Sequence, residues 1–167
     1  MMGTNSVERI ALRFSYEETA ALLKLLGHEE LPGTRIRAAT PGRATVDSLT
    51  DAGIVLPCGE HILVDRAAAL IFNTAAGSRR FVRAEGSDGA ALLYKGEKLC
   101  VLAEDFGRGW LLLTPAKDVD DALPLFTRSV ARLGAGTRCS FAVEAESGEC
   151  THSAAAIEAL FARLKES

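Results

Sequence analysis

The amino-acid sequence predicts an α+β fold: an antiparallel β-meander sheet of about five strands packed with flanking helices, preceded by an N-terminal helical and hairpin segment. Three observations lead there. Capped, apolar-striped helical segments occupy the first part of the chain. Four short β-prone runs joined by glycine-rich turns come next, between residues 79 and 114. These strands cluster instead of alternating with helices, which favours α+β over α/β.

Each element has a local signature. Residues 1–9 are polar and predict a frayed start, and Ile10–Phe14 alternates weakly as a short strand. Ser15 followed by Glu18 forms a capping box, in which each side chain satisfies a backbone donor at the helix start. Tyr16, Ala20, Leu23 and Leu26 continue from it at helical spacing, Leu22 and Leu25 widen that face, and Gly27 ends the helix. After a loop at Pro32-Gly33, Thr40 is the expected cap of a second helix, with Pro41 at its first helical position, Ala44, Leu49 and Ala52 facing inward, and Gly53 at its end. Ile54–Leu56 and His61–Val64 predict a small hairpin around Pro57-Cys58-Gly59-Glu60. Asp65 caps a third helix through Ala67, Leu70, Ile71 and Thr74 to Gly77.

The meander comprises Arg79–Ala84, Ala90–Tyr94, Lys98–Ala103 and Trp110–Thr114, with turns at residues 86–89, 95–97 and 105–109. Glycine supplies positive φ in such turns and aspartate hydrogen-bonds its own backbone. A fourth helix is expected from Val119 to Leu133, capped by Asp118 and carrying Pro124 in its second turn. Arg138–Glu144 alternates as a fifth strand, and a terminal helix starts at Ser153 with Ile157, Leu160, Phe161 and Leu164 on one face.

Composition bounds the function. The chain has 167 residues, 48% hydrophobic and 25% charged, which suits one globular domain over residues 1–167. A net charge of -3 is unlike the strongly basic balance of a whole-surface nucleic-acid binder. No apolar run reaches the roughly 20 residues a membrane span needs, and MMGTNSVERI lacks a secretory leader's apolar core, so the expected location is the cytoplasm. Cys58, Cys100, Cys139 and Cys150 include no CxxC pair and are expected to be free, buried thiols.

No catalytic motif survives inspection. His28-Glu29-Glu30 followed by Pro57-Cys58-Gly59-Glu60-His61 imitates the zinc deaminase pattern, but that chemistry needs its ligands at helix starts, whereas His28 comes after a helix end and His61 enters a strand. Cys150 and His152 near a helix start read as an exposed loop thiol without a partner base. The G-x-S-x-G elbow, the phosphate-cradling loop and G-x-G-x-x-G are absent. The chain is therefore expected to be no enzyme and to use neither metal nor cofactor.

Two basic runs remain. Arg35, Arg37 and Arg43 lead into the second helix, which is succeeded by a hairpin. That layout supports an alternative reading as a winged-helix-type DNA-binding regulator, although Asp47 and Asp51 on the same helix would repel phosphates. Arg79, Arg80 and Arg83 form the second run. Phe106, Arg108 and Trp110 bracket a glycine-rich turn and are the candidate partner-binding residues, since aromatics and arginine anchor interfaces at low entropic cost. The competing reading of Trp110 is a core residue opening an apolar strand.

The stretch YEETAALLKLLGHEELPG resembles the opening of EspG-like proteins, where an amphipathic helix ends in Leu-Gly and then Leu-Pro. SLTDAGIV and HILVDRAAALI resemble the next part of those proteins, a short helix ending in Ala-Gly, a small hairpin and a helix opened by Asp. The short strands before LPLFTRSVARLG keep the same order, so the resemblance covers residues 14–134. EspG-like proteins are cytosolic, non-enzymatic chaperones of type VII (ESX) secretion with a central antiparallel sheet. The resemblance implies an adaptor or chaperone whose partner is another protein, a secretion substrate among the candidates. It carries over no binding residue, and this chain is shorter than typical members.

Overall fold

The computed structural model describes residues 11–143 and 146–151, and residues 159, 161, 162, 164 and 165 near the C-terminus. The chain runs β1 (Leu12–Ser15), α1 (Tyr16–Leu25), α2 (Arg43–Asp51), β2 (Val55–Cys58), β3 (His61–Val64), α3 (Arg66–Ala76), β4 (Arg80–Gly86), β5 (Gly89–Lys95), β6 (Cys100–Asp105), β7 (Trp110–Ala116), α4 (Val119–Val130), β8 (Arg138–Val143) and β9 (Glu146–Thr151). The class is α+β, and β4 to β7 form the antiparallel meander that the turn chemistry predicts.

The sheet is larger than the expected five strands. Its order is β1-β7-β6-β5-β4-β8-β9, seven strands among the described residues, with β2 and β3 pairing separately as a hairpin. β1 closes one edge by pairing with β7, and β8 with β9 extends the other beyond β4. β9, read from ESGECT, carries no apolar alternation, so nothing local announces it.

Helices cover both faces, which explains the unbroken apolar runs of the central strands. Along β5, Ala91 and Leu93 point to one side and Leu92 and Tyr94 to the other. The first side is sealed by Val119, Ala122, Phe126 and Val130 of α4, joined by Phe161 and Leu164. The second is sealed by α1 and α3, with Leu49 of α2 and Val55 of the hairpin filling the periphery. Phe14 of β1 meets Phe72 of α3 edge-on, ring centroids 5.3 Å apart, tying the edge strand to the helical layer.

The capping box is present: Glu18 N–H donates to Ser15 Oγ at 3.0 Å and Ser15 N–H to Glu18 Oε1 at 2.9 Å. Leu22 and Leu23 of α1 are buried as expected, joined by Thr19 and Ala21, while Tyr16, Ala20, Leu25 and Leu26 are half-buried. Asp65 and Asp118 cap α3 and α4 as expected. Thr40 does not cap α2: the cap position belongs to Gly42, with no side-chain bond, and of the expected inward face only Leu49 is buried. In α3 the inward residues are Ala68, Ile71, Phe72 and Ala75, whereas Ala67 and Leu70 are exposed. α4 continues through Pro124, losing one backbone donor, and ends at Val130, short of Leu133. Of the expected terminal helix, Phe161 and Leu164 are helical and buried, while Ser153, Ile157 and Leu160 lie outside the described residues, as do residues 1–9. No described helix is long and apolar enough to cross a membrane.

Candidate functional site

The turn between β6 and β7 is held from a distant part of the chain. Tyr16, the first residue of α1, donates its backbone N–H to the Gly109 carbonyl at 3.1 Å and its hydroxyl to Asp105 Oδ1 at 2.6 Å. Asp105 also accepts from the Gly107 N–H at 2.9 Å, closing the turn on itself. Burial, aided by the Asp105 carboxylate, pushes the Tyr16 hydroxyl up to about 12. Tyr16 therefore stays protonated at neutral pH, a fixed donor and no base. Gly107 and Gly109 have φ of 70° and 86°, which other residues rarely adopt, so the turn depends on both.

Ser15 precedes Tyr16 and pairs with Trp110 across the β1–β7 ladder, so the strand-to-helix junction and the turn lock together. Arg13 places its guanidinium 4.9 Å from the Trp110 ring centroid. Trp110 is half-buried and belongs to neither core cluster, Phe106 packs at the edge of the α4-side core, and Arg108 is exposed. The turn thus presents a half-covered indole, a phenyl edge and an exposed charge side by side. The β4–β5 turn presses on it from the other side: a Cβ on Gly89 would strike the Asp105 carbonyl oxygen and lie 3.0 Å from Phe106 Cα.

A groove of about 1690 Å³ opens beside this turn, lined among others by Tyr16, Glu17, Arg35, Glu85, Phe106 and Arg108. Its floor includes Leu92, and its far wall is the loop around Gly33, fastened by the Tyr94 hydroxyl donating to the Pro32 carbonyl. Within it Arg83 Nη1 pairs with Glu85 at 2.6 Å, and that bond holds the Glu85 carboxyl below its ordinary pKa. Arg83 Nε is buried and lacks a hydrogen-bond partner among the described residues. The surface offers apolar contact and paired charges of both signs, a chemistry suited to binding a polypeptide.

The other candidates lie elsewhere. His28 hydrogen-bonds Asn73 through Nε2 at 2.8 Å, while Cys58 and His61 face each other across the exposed end of the hairpin. Among the described residues no three His, Cys, Asp or Glu side chains gather as a metal site. Cys58 is exposed, against the expectation of burial, because the hairpin end projects from the body; Cys100 and Cys139 are buried. Cys150 pairs with Cys139 in the β8–β9 register, but its side chain and His152 lie outside the described residues. Arg35 and Arg37 sit on the loop before α2, with Arg37 3.4 Å from Glu30, so α2 itself bears one arginine and two aspartates.

Residue type in the sequence singles out Phe106, Arg108 and Trp110 as candidates and gives no sign of Tyr16, Asp105 and Arg13, which the structure places around them. Tyr16 and Asp105 are 89 positions apart, and no local pattern links them.

No protein-family model and no curated protein matches the chain. Its fold does find a counterpart. The structure of the Mycobacterium tuberculosis type VII secretion system chaperone EspG5 in complex with the PE25-PPE41 dimer matches with a TM-score of 0.59 at 14% identity. The match covers 74% of this chain and 52% of that one, so the chain spans about half the length of the chaperone it resembles. At that identity the likeness shows a shared fold.

Proposed function

We propose that the chain is a non-catalytic, protein-binding adaptor of the chaperone type, which holds a type VII secretion substrate in the groove beside the β6–β7 turn. The observation that carries this reading is the pinned turn itself. Phe106, Arg108 and Trp110 stand at the mouth of a large groove on a backbone fixed by Tyr16, so little backbone entropy is lost when they meet a partner. Aromatic and arginine side chains in such positions are the usual anchors of protein interfaces. The fold likeness to a chaperone solved with a protein dimer supports the same reading, as does the sequence resemblance to EspG-like proteins. In this role the turn and groove supply shape and charge, and the reaction centre an enzyme needs has no part.

Affinity capture from the native cell, read by mass spectrometry, identifies the partner, and its titration against purified variants tests the site. Arg108→Ala and Trp110→Ala are expected to weaken capture by about 1 kcal/mol or more each. Arg108→Ala should leave the melting temperature unchanged, because its side chain is exposed. Full capture by both variants would remove the turn from the interface.

A further inference from the structure

We propose that the β2–β3 hairpin is half of a zinc site, completed by the same hairpin of a second copy of this chain, so that one Zn2+ held by Cys58 and His61 of each copy joins two chains. The hairpin lines no part of the groove beside the β6–β7 turn, so the inference stands apart from the adaptor reading.

An antiparallel hairpin packed through one face alternates, apolar inward and polar outward. Here Val55, Ile62 and Val64 turn inward onto the helical core. The opposite face carries Leu56 and Leu63, register partners that are 59% and 55% exposed. They are two of the three large apolar side chains so exposed among the described residues. Nearer the turn on that face come Cys58 and His61, again register partners and both exposed. None of these four places holds an Asp, Glu, Lys or Arg, so the face lacks the charge that normally keeps a hairpin surface in water.

Cys58 and His61 have the donor chemistry and the spacing of half a zinc site. A two-residue turn, Gly59-Glu60, separates them, and they face each other across the ladder. Register partners of an antiparallel pair hold their Cβ atoms about 4.5–5.5 Å apart on one face. That span lets a thiolate and an imidazole close on one ion at the roughly 2.0–2.3 Å that zinc takes. Two ligands with two residues between them is the spacing by which structural zinc sites gather half of their set. Sulfur and imidazole donors together favour zinc over magnesium or calcium.

One chain stops at two donors. Among the described residues no third His, Cys, Asp or Glu gathers with this pair, and His28 is bonded to Asn73 instead. A structural zinc site takes four ligands. A second copy brings an identical pair, and a two-fold axis through the ion completes a tetrahedral set of two cysteines and two histidines, the self-matching contact of a closed dimer. Zinc displaces the two thiol protons to solvent, and the two thiolates balance its charge. The completed site is neutral and sits beside leucines without the desolvation cost of an unpaired charge. The same axis brings Leu56 and Leu63 of the two copies together. Two leucines per chain fall far short of the roughly 800 Å² per partner that a stable interface buries. Association therefore depends on the metal, with the leucines adding to it.

The test is sedimentation velocity of the full chain, with reductant present, first in chelator and then in zinc chloride. A monomer is expected in chelator and a dimer in zinc, with one zinc bound per two chains. Cobalt in place of zinc should give the visible absorption bands of a tetrahedral thiolate site. Cys58→Ser and His61→Ala, both at exposed positions, should keep the wild-type melting temperature in chelator and lose the zinc-dependent dimer. Leu63→Ser should weaken that dimer about tenfold, since the change counts twice across the axis. Arg108→Ala should dimerise as wild type does, which keeps this result separate from the fate of the first site. A chain that stays monomeric in zinc, a zinc dimer that survives Cys58→Ser or His61→Ala, or a dimer that forms in chelator would overturn the proposal. One zinc bound per monomer would overturn it too.

Discussion

Replacing Tyr16 by phenylalanine removes one oxygen and cuts the side-chain tie between α1 and the β6–β7 turn, leaving the backbone bond to Gly109 in place. The lost bond runs 2.6 Å from a phenol to a carboxylate. Hydrogen bonds to charged groups contribute about 1.5–3 kcal/mol, and because both residues are half-buried the low end applies, about 1–1.5 kcal/mol. For a chain of this size that corresponds to a fall of roughly 2–6 °C in melting temperature. A second signature comes from proton linkage. The folded-state pKa of Tyr16 is raised from 10.0 to about 12, so the fold favours the neutral phenol. Its stabilisation is complete below pH 10 and is lost as pH rises from 10 through 12. The phenyl ring of the variant has no proton to lose, so the stability gap between wild type and Tyr16→Phe should narrow over that window. Tyr94, the chain's other tyrosine, is raised by burial as well but is common to both proteins, so the difference isolates Tyr16. Urea unfolding in a series of buffers from neutral pH to above the raised Tyr16 pKa measures the gap, and hydrogen exchange at the Gly107 amide reports loosening of the turn. Equal stability at neutral pH, together with parallel curves in alkali, would refute the claim that this bond holds the turn.

Further expectations concern packing, caps and thiols. Leu23→Ala should cost about 2–5 kcal/mol in chemical denaturation, because Leu23 is fully buried, whereas the half-buried Leu26→Ala should cost clearly less. Ser15→Ala should cost about 1 kcal/mol by the same measurement, since it leaves the Glu18 N–H without its cap. Gly89→Ala should cost about 3 kcal/mol, because the new methyl meets backbone at Asp105 and Phe106 that cannot swing aside; a variant as stable as wild type would show that the two turns are not in contact. A thiol reagent in mildly alkaline buffer, with mass spectrometry as the readout, should label Cys58 in the folded protein and Cys100 only after unfolding. Cys58 is exposed, whereas Cys100 is buried and burial pushes its thiol up to about 11.

How much of this is legible in the residues depends on the distance over which each signal acts. Ser15-x-x-Glu18, Asp65 and Asp118 state their role within one helical turn, so those helix starts are read directly. Thr40 misleads because a capping residue works only if the backbone enters the helix there, and the chain enters at Gly42. Spacing alone places the inward faces of α1 and α3 only in part, giving the buried Leu22, Leu23 and Ile71 but also the exposed Ala67 and Leu70, because apolar spacing marks a broad stripe on a helix while the neighbours decide which part of it is covered. Leu70, apolar and at helical spacing, is left outside by that choice.

The candidate site divides in the same way. The glycines of the β6–β7 turn and the aromatic and basic side chains around them are local facts, and they mark Phe106, Arg108 and Trp110. The bonds that hold the turn in place are not local.

The sequence by itself determined the α+β class, the meander and most helix starts, because turn geometry, capping and side-chain periodicity act between residues a few positions apart. Only the tertiary structure decided that β1 lies beside β7, that β8 and β9 extend the sheet beyond β4, and that α1 fastens a turn 89 positions away. Those pairings are fixed by which buried surfaces fit together, and no residue's immediate neighbours carry that information.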